Sequence, residues 1–331
     1  MPSLPKPRLR RSARARGDSA HPAPPTEPNV EVVESDGLRW LNIERPRPID
    51  RSWLEEHFDF HPLDYEDVLS RNQRPKIDEY EDYLFIVLYF PVFDKTVGRL
   101  NAAELDIFIG PDYLITLPNT PVPPVEYLFE RCRSNEEVRE ALFSKGSGYL
   151  LYKIVDDSFD YCFPMLRKIG NKLERLEEDI FEGRSEEVVR DISNAKQEII
   201  NFRKIIRPQR AVLRDLERTK QRYLAEDLEL YFDDIVDASE RIWDMLENYK
   251  EVVEALEVTN ESVLSHRVNE VLRVLTAFSV VVLPLTLFAS VWGMNVEFPF
   301  EAGTAAFWAI VAAMVAMLVG MVGYFRARGW L

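Results

Sequence analysis

Two cysteines and four histidines are all the soft metal ligands that 331 residues offer. Cys132 and Cys162 have neither metal-ligand spacing nor the density of a disulfide framework, so they read as reduced thiols of a cytosolic domain. The sequence has no phosphate-binding loop, no HExxH pair and no convincing nucleophile–base pair, which argues against an enzyme and against ATP-driven transport. The start, MPSLPKPRLRRSARARGDSAHPAPPTEPN, is basic but has no apolar core behind it, so it is not a secretory signal. Its Pro, Arg and Ala bias reads as a disordered, solvated tail over residues 1–29.

Positive charge is scarce in the body of the chain. The net charge is −15, yet residues 1–28 carry +4 and residues 269–331 carry zero, which leaves −19 for residues 29–268. A body this acidic repels nucleic acid and gathers cations. Two segments lack charge altogether: nineteen residues from Val274 to Trp292 and twenty-one from Ala305 to Phe325. Each is long enough to cross a hydrocarbon core of about 30 Å. Trp292, Trp308, Tyr324 and Trp330 lie near their ends, as an aromatic belt would. Arg267 and Arg273 precede the first segment, Arg326 and Arg328 follow the second, and the loop between has no basic residue. The positive-inside tendency then places both termini in the cytoplasm of a multi-pass cell-membrane protein.

Upstream, short β-branched and aromatic runs (LRWLNIE, YLFIVLYFPVF, ELDIFIG, YLITL) alternate with the short helical stretches IDRSWLEEHF and HPLDYEDVLS. Asp50 is the expected N-cap of the first of these helices. This predicts an α/β domain over residues 30–145, closed by the Pro-rich LPNTPVPP. Amphipathic helices joined at Gly183 follow over residues 146–224. No proline occurs between Pro208 and Pro284, and Leu228, Ile235, Ile242, Tyr249, Leu256 and Val263 recur every seven residues in that gap. Tyr231, Ala238, Met245 and Val252 follow three positions behind. This a/d pattern predicts a long stalk helix over 225–292, continuous with the first membrane span and associating with other helices.

On a helical wheel with Asn269 at zero, Leu272, Thr276, Ser279, Leu283, Thr286 and Ser290 fall between about 260° and 340°. Every hydroxyl of the first span lies on that stripe. Small hydroxyl residues favour helix packing in membranes; the same stripe, repeated around an axis by several copies, would line a pore. The second span, residues 305–325, has no such stripe and reads as an outer, lipid-facing helix.

Gly293-Met294-Asn295 at the outer end of the first span, followed by a short loop (293–304), a second span and a short basic C-terminus (326–331), resembles the CorA family of divalent-cation transporters. NEVLRVLT…LPLTLFASVWGMN looks like that family's pore helix, and HPLDYEDVLSRNQRPKIDEYEDYLFIVL like its N-terminal domain. The resemblance implies an αβα cytoplasmic domain, a stalk helix and two C-terminal transmembrane helices, assembled as a homopentameric funnel. It implies voltage-driven influx of hydrated Mg2+, with Co2+ and Ni2+ as further substrates. Gly293, Met294 and Asn295 would form the selectivity filter, with Gly293 permitting a sharp turn or a close backbone approach. Asn269, Leu272, Leu275, Leu283, Thr286 and Ser290 would line the conduit; Leu275, at about 240°, stands slightly off the stripe. Leu272 and Leu275 resemble a dewetting constriction. Glu297 and Glu301 would concentrate cations at the entrance. Asp234 matches a position where the family binds a regulatory Mg2+ between subunits, with Asp94 as its partner and Asp233, Asp237, Asp156 and Asp157 nearby.

Two rivals remain. ZntB-like zinc transporters share the fold, and His57 and His61, four apart, could present two imidazoles on one helical face. A membrane-tethered coiled-coil scaffold would need the stripe to be packing alone.

Overall fold

The computed structural model describes residues 27–70, 73–94, 99–219, 228–294 and 304–329. Nearly all of the basic tail therefore lies outside the described residues, as do Asn295, Glu297, Glu301 and Trp330. Strands β1 (Glu31–Ser35) and β2 (Leu38–Asn42) form a hairpin across Asp36 and Gly37, whose φ values of 53° and 78° suit a two-residue turn. After α1 (Pro48–His57) and α2 (Pro62–Leu69) come β3 (Lys76–Glu79), β4 (Leu84–Asp94), β5 (Arg99–Ile109) and β6 (Tyr113–Pro118). The sheet order is β1-β2-β6-β5-β4-β3, with β2 and β6 parallel and every other neighbouring pair antiparallel.

The period of two along β4 sends its side chains into separate cores. Phe85 and Val87 pack with Leu54, Phe60, Tyr65 and Val68 of the α1–α2 region. Leu84, Ile86 and Leu88 pack beneath α3 (Pro123–Ser134), α4 (Glu136–Phe143), α5 (Ser147–Asp160), α6 (Cys162–Phe181) and α7 (Ser185–Arg218). The domain is thus the expected αβα sandwich. Gly183 makes the α6–α7 turn with φ 97°, a conformation that favours glycine. Pro208 lies inside α7, and the next residue joins that helix to the sheet. Gln209 Nε2 donates to Tyr89 O at 2.6 Å, while Tyr89 N donates to Gln209 Oε1 at 2.7 Å. The amide thereby continues the β4 ladder beyond the end of its pairing with β3.

Two sequence expectations are corrected here, and one open alternative, the paired imidazoles, is closed. Asp50 does not cap α1: the N-cap is Arg47, and Asp50 sits at N3 of a capping box. Its buried carboxylate accepts from Asn29 N at 2.7 Å, Arg47 N at 2.9 Å and Arg47 Nε at 2.8 Å. Burial alone would raise its pKa, but these hydrogen bonds together hold it below the usual carboxylate range. His57 and His61 do not share a helix face. His57 stacks on Trp53 at the end of α1, whereas His61 starts α2 and accepts from Leu63 N at 3.3 Å.

The heptad is the second correction. Helix α8 (Glu229–Trp292) is 64 residues long, about 95 Å at 1.5 Å per residue. Leu228, Ile235, Ile242 and Leu256 are buried, but in the core shared with α6 and α7 of the same chain. Tyr231 and Val252 are exposed, while Phe232, Ser239, Leu246, Val253 and Asn260, four positions after the heptad series, are buried. Covering by α5, α6 and α7 demands a wider stripe than a two-helix seam, so the buried face takes in a and e, with Ala238 at d buried and Met245 half-buried. The seam is filled within one chain and gives no support to association between copies.

Asp106 on β5 is 3% exposed, and its Oδ1 has no hydrogen-bond partner. Burial, and then the charges of Glu104 and Asp67, push its pKa well above the usual value of 3.8. The folded state therefore binds this proton more tightly than the unfolded state, and the stability it supports is lost as pH rises from 3.8 through the folded value. Asp106→Asn is expected to melt higher than the native protein at neutral and alkaline pH, by about 1 kcal/mol or more. The gap should close toward pH 3.8 in a thermal-melt series.

Candidate pore and metal sites

Helix α8 in its exposed part and α9 (Thr304–Ala327) over Phe307–Ala327 are long and apolar enough to cross a membrane. Val271, Phe278, Leu283, Leu287 and Trp308 are each more than 60% exposed, an apolar surface that requires lipid or a partner to cover it. The two helices meet through Ala277, Val281 and Leu285 of α8 against Met321 and Phe325 of α9. On the wheel used above, those three α8 residues lie between about 80° and 160°. The hydroxyl stripe, between about 260° and 340°, is on the opposite side. Packing against the chain's own second span therefore does not account for it.

The stripe residues Leu272, Thr276, Leu283, Thr286 and Ser290 are exposed, as is Asn269, and Ser279 is half-buried. Leu275 is also exposed. Three of the hydroxyls fold back on the helix: Thr276 Oγ1 donates to Leu272 O at 2.7 Å, Ser279 Oγ to Leu275 O at 2.9 Å and Thr286 Oγ1 to Val282 O at 2.9 Å. Pro284 interrupts the helix ladder at about 60°, off the stripe.

Gly293 caps α8 with φ −85° and ψ −5°, so a turn restricted to glycine is not what this position needs. Its backbone N donates to Ala289 O at 2.9 Å, and a Cβ would stand 3.2 Å from that same oxygen. That contact is tight, but a shift of a few tenths of an ångström would relieve it. Met294 is 57% exposed.

Asp94 and Asp234 occupy different surroundings in the chain. Asp94 ends β4 opposite Arg99 and accepts from Asn101 Nδ2 at 3.3 Å. Asp234, like Asp233 and Asp237, is exposed on the first turns of α8. Its field reaches Asp160, whose pKa is raised by burial first and then by Asp156, Asp157 and Asp234. Lys153 Nζ bridges Asp156 at 2.9 Å and Asp157 at 2.8 Å. Sequence reading missed Asp160 and Lys153, although Asp156 and Asp160 are one helical turn apart in DDSFD. Carboxylate oxygens suit Mg2+. Among the described residues, however, no group of three ligands in one chain is arranged to hold a metal ion.

Residues 35–327 match the family described as CorA-like Mg2+ transporter protein. The chain is 31% identical over 302 residues to the cobalt/magnesium transport protein CorA of Thermotoga maritima, covering 90% of this chain and 85% of that one. A zinc transport protein, ZntB of Yersinia enterocolitica, is 18% identical over 304 residues, covering 91% and 90%. Among solved structures, the complete CorA magnesium transporter of Methanocaldococcus jannaschii superposes with a TM-score of 0.78 at 22% identity, covering 89% of this chain and 92% of that one. That likeness speaks for the fold, and the sequence match over nearly the whole chain speaks for descent. The chain belongs to the CorA-like Mg2+ transporter family.

Proposed function

We propose that this membrane protein assembles as a homopentamer around α8 and conducts hydrated Mg2+ into the cell, with Co2+ and Ni2+ as further substrates. The observation that carries the reading is the placement of the polar stripe on the face of α8 opposite α9. Each chain keeps an apolar helix on one side and offers Thr276, Ser279, Thr286 and Ser290 on the other, which is what a pore built from several copies requires. Asn295 at the outer end supplies the filter, and Glu297 and Glu301 supply the acidic mouth. Leu272 and Leu275 form the constriction near the cytoplasmic end, above Asn269. The domains divide as the sequence suggests, with both termini in the cytoplasm. Influx is driven by membrane potential, about 2.3 kcal/mol per charge per 100 mV and twice that for a divalent ion.

Regulation is proposed at the acidic surface around Asp234. Asp160, which feels the charges of Asp156, Asp157 and Asp234, lies within one protomer, and Asp94 would come from a neighbour. Opposed carboxylates repel until a divalent cation bridges them. High internal Mg2+ therefore holds the assembly closed, and low Mg2+ releases it.

Flux into proteoliposomes tests the reading, with Mg2+ and Zn2+ compared under an imposed potential and under a proton gradient. Mg2+ uptake driven by voltage alone is expected. Zn2+ uptake that depends on the proton gradient would instead place the protein with the ZntB-like transporters, and an intact oligomer passing neither ion would leave only the scaffold.

A further inference from the structure

Far from the pore stripe, α7 borders a cleft of about 650 Å3 against α6 and the start of β5. Asn194, Gln197, Glu198 and Asn201 of α7 face into it, at spacings that share one helix side. Lys172 of α6 and Arg99 of β5 stand across from them. Two cations thus oppose one carboxylate, in a chain whose net charge is −15. The carboxylate is only loosely engaged: Glu198 meets Lys172 at 3.5 Å, and both side chains are partly exposed. Such a pair contributes little to stability. Arg99 makes no ion pair among the described residues. Gln197 Nε2 donates to Asn201 Oδ1 at 2.9 Å, which uses the Asn201 acceptor and leaves its NH2 group for a ligand.

An excess of donors and of positive charge selects an anion. A metal cation would meet Arg99 and Lys172, and an apolar molecule would strip water from three amides. A guanidinium fork beside an ammonium suits phosphate oxygens, which accept several charge-assisted hydrogen bonds at once. The volume falls in the usual range for small-molecule sites, about 300–1,000 Å3. We infer that this cleft binds a small phosphate-bearing anion, either inorganic phosphate or the polyphosphate of a nucleotide. Arg99 and Lys172 grip it, and Asn194 and Asn201 donate to the remaining oxygens. The inference stands apart from the transport reading, because no residue of the stripe lines the cleft.

The test is calorimetric titration of the full chain in detergent at fixed ionic strength, without divalent cations so that chelation adds no heat. Inorganic phosphate is the probe in one arm and ATP in the other. Saturable binding in either arm is expected, and the arm that saturates identifies the source of the phosphate. Arg99→Gln and Lys172→Gln should each weaken it by about tenfold or more. Asn194→Asp, a near-isosteric change at an exposed position, should weaken it by repulsion without disturbing the fold. Lys204→Gln removes an α7 cation that lines a different cavity and should keep native affinity. Absence of saturable binding in both arms, or equal losses in Lys204→Gln and Arg99→Gln, overturns the inference.

Discussion

Asn295→Ala is expected to lower voltage-driven Mg2+ flux by about a hundredfold, equivalent to about 2.7 kcal/mol added to the crossing barrier. Mg2+ gives up its water reluctantly, so a filter that passes it at useful rates must bind the hydrated ion. A ring of neutral amides can accept hydrogen bonds from the ion's bound water without trapping the ion. Alanine has no acceptor to offer, and the ion would meet an apolar rim between its hydrated states. Asn295→Asp should also reduce flux, for the opposite reason: a ring of carboxylates would hold the ion too firmly to release it. The measurement is initial uptake in proteoliposomes, with the oligomer checked by elution volume. An intact Asn295→Ala oligomer that retained half of native flux would refute the filter assignment.

Thr286→Trp should be nearly as damaging, with flux falling more than about tenfold. Thr286 lies on the stripe at about 260°, so its replacement would project one indole per copy into the proposed conduit. Phe278→Trp is the matched control. It enlarges an exposed aromatic at about 180°, off the stripe, and should keep flux within about twofold. If both substitutions were equally harmless, the stripe would be a packing face between copies; if both blocked transport equally, the face assignment would be wrong.

Much of this architecture was legible from pattern alone. Strands β4, β5 and β6 announce themselves as β-branched and aromatic runs, and the two charge-free segments coincide with the two helices able to cross a membrane. Strand β1 went unread even though Asp36-Gly37 is a strong hairpin signal, because EVVES before it is mostly polar and exposed. The heptad misled for a physical reason. Periodicity reports how wide a buried face is, but not whether the covering helix belongs to the same chain, and here α6 and α7 supply the cover. The stripe was visible in sequence, but its meaning depended on where α9 docks, which is a tertiary fact. Asp160 and Lys153 escaped notice because their electrostatic grouping with Asp234 depends on α5 lying against α8.

The hydroxyls that fold back on α8 carry one more consequence. Thr276, Ser279 and Thr286 have each committed their only proton to a backbone carbonyl, so what they turn outward is lone pairs. Water around a cation points its hydrogens outward and finds acceptors waiting along the wall. Water around an anion presents oxygen and would meet, at these three positions, hydroxyls with no proton left to donate. If the stripe lines the proposed conduit, a wall without a single formal charge would in this way distinguish the sign of what passes, without the tight binding that would slow the passage.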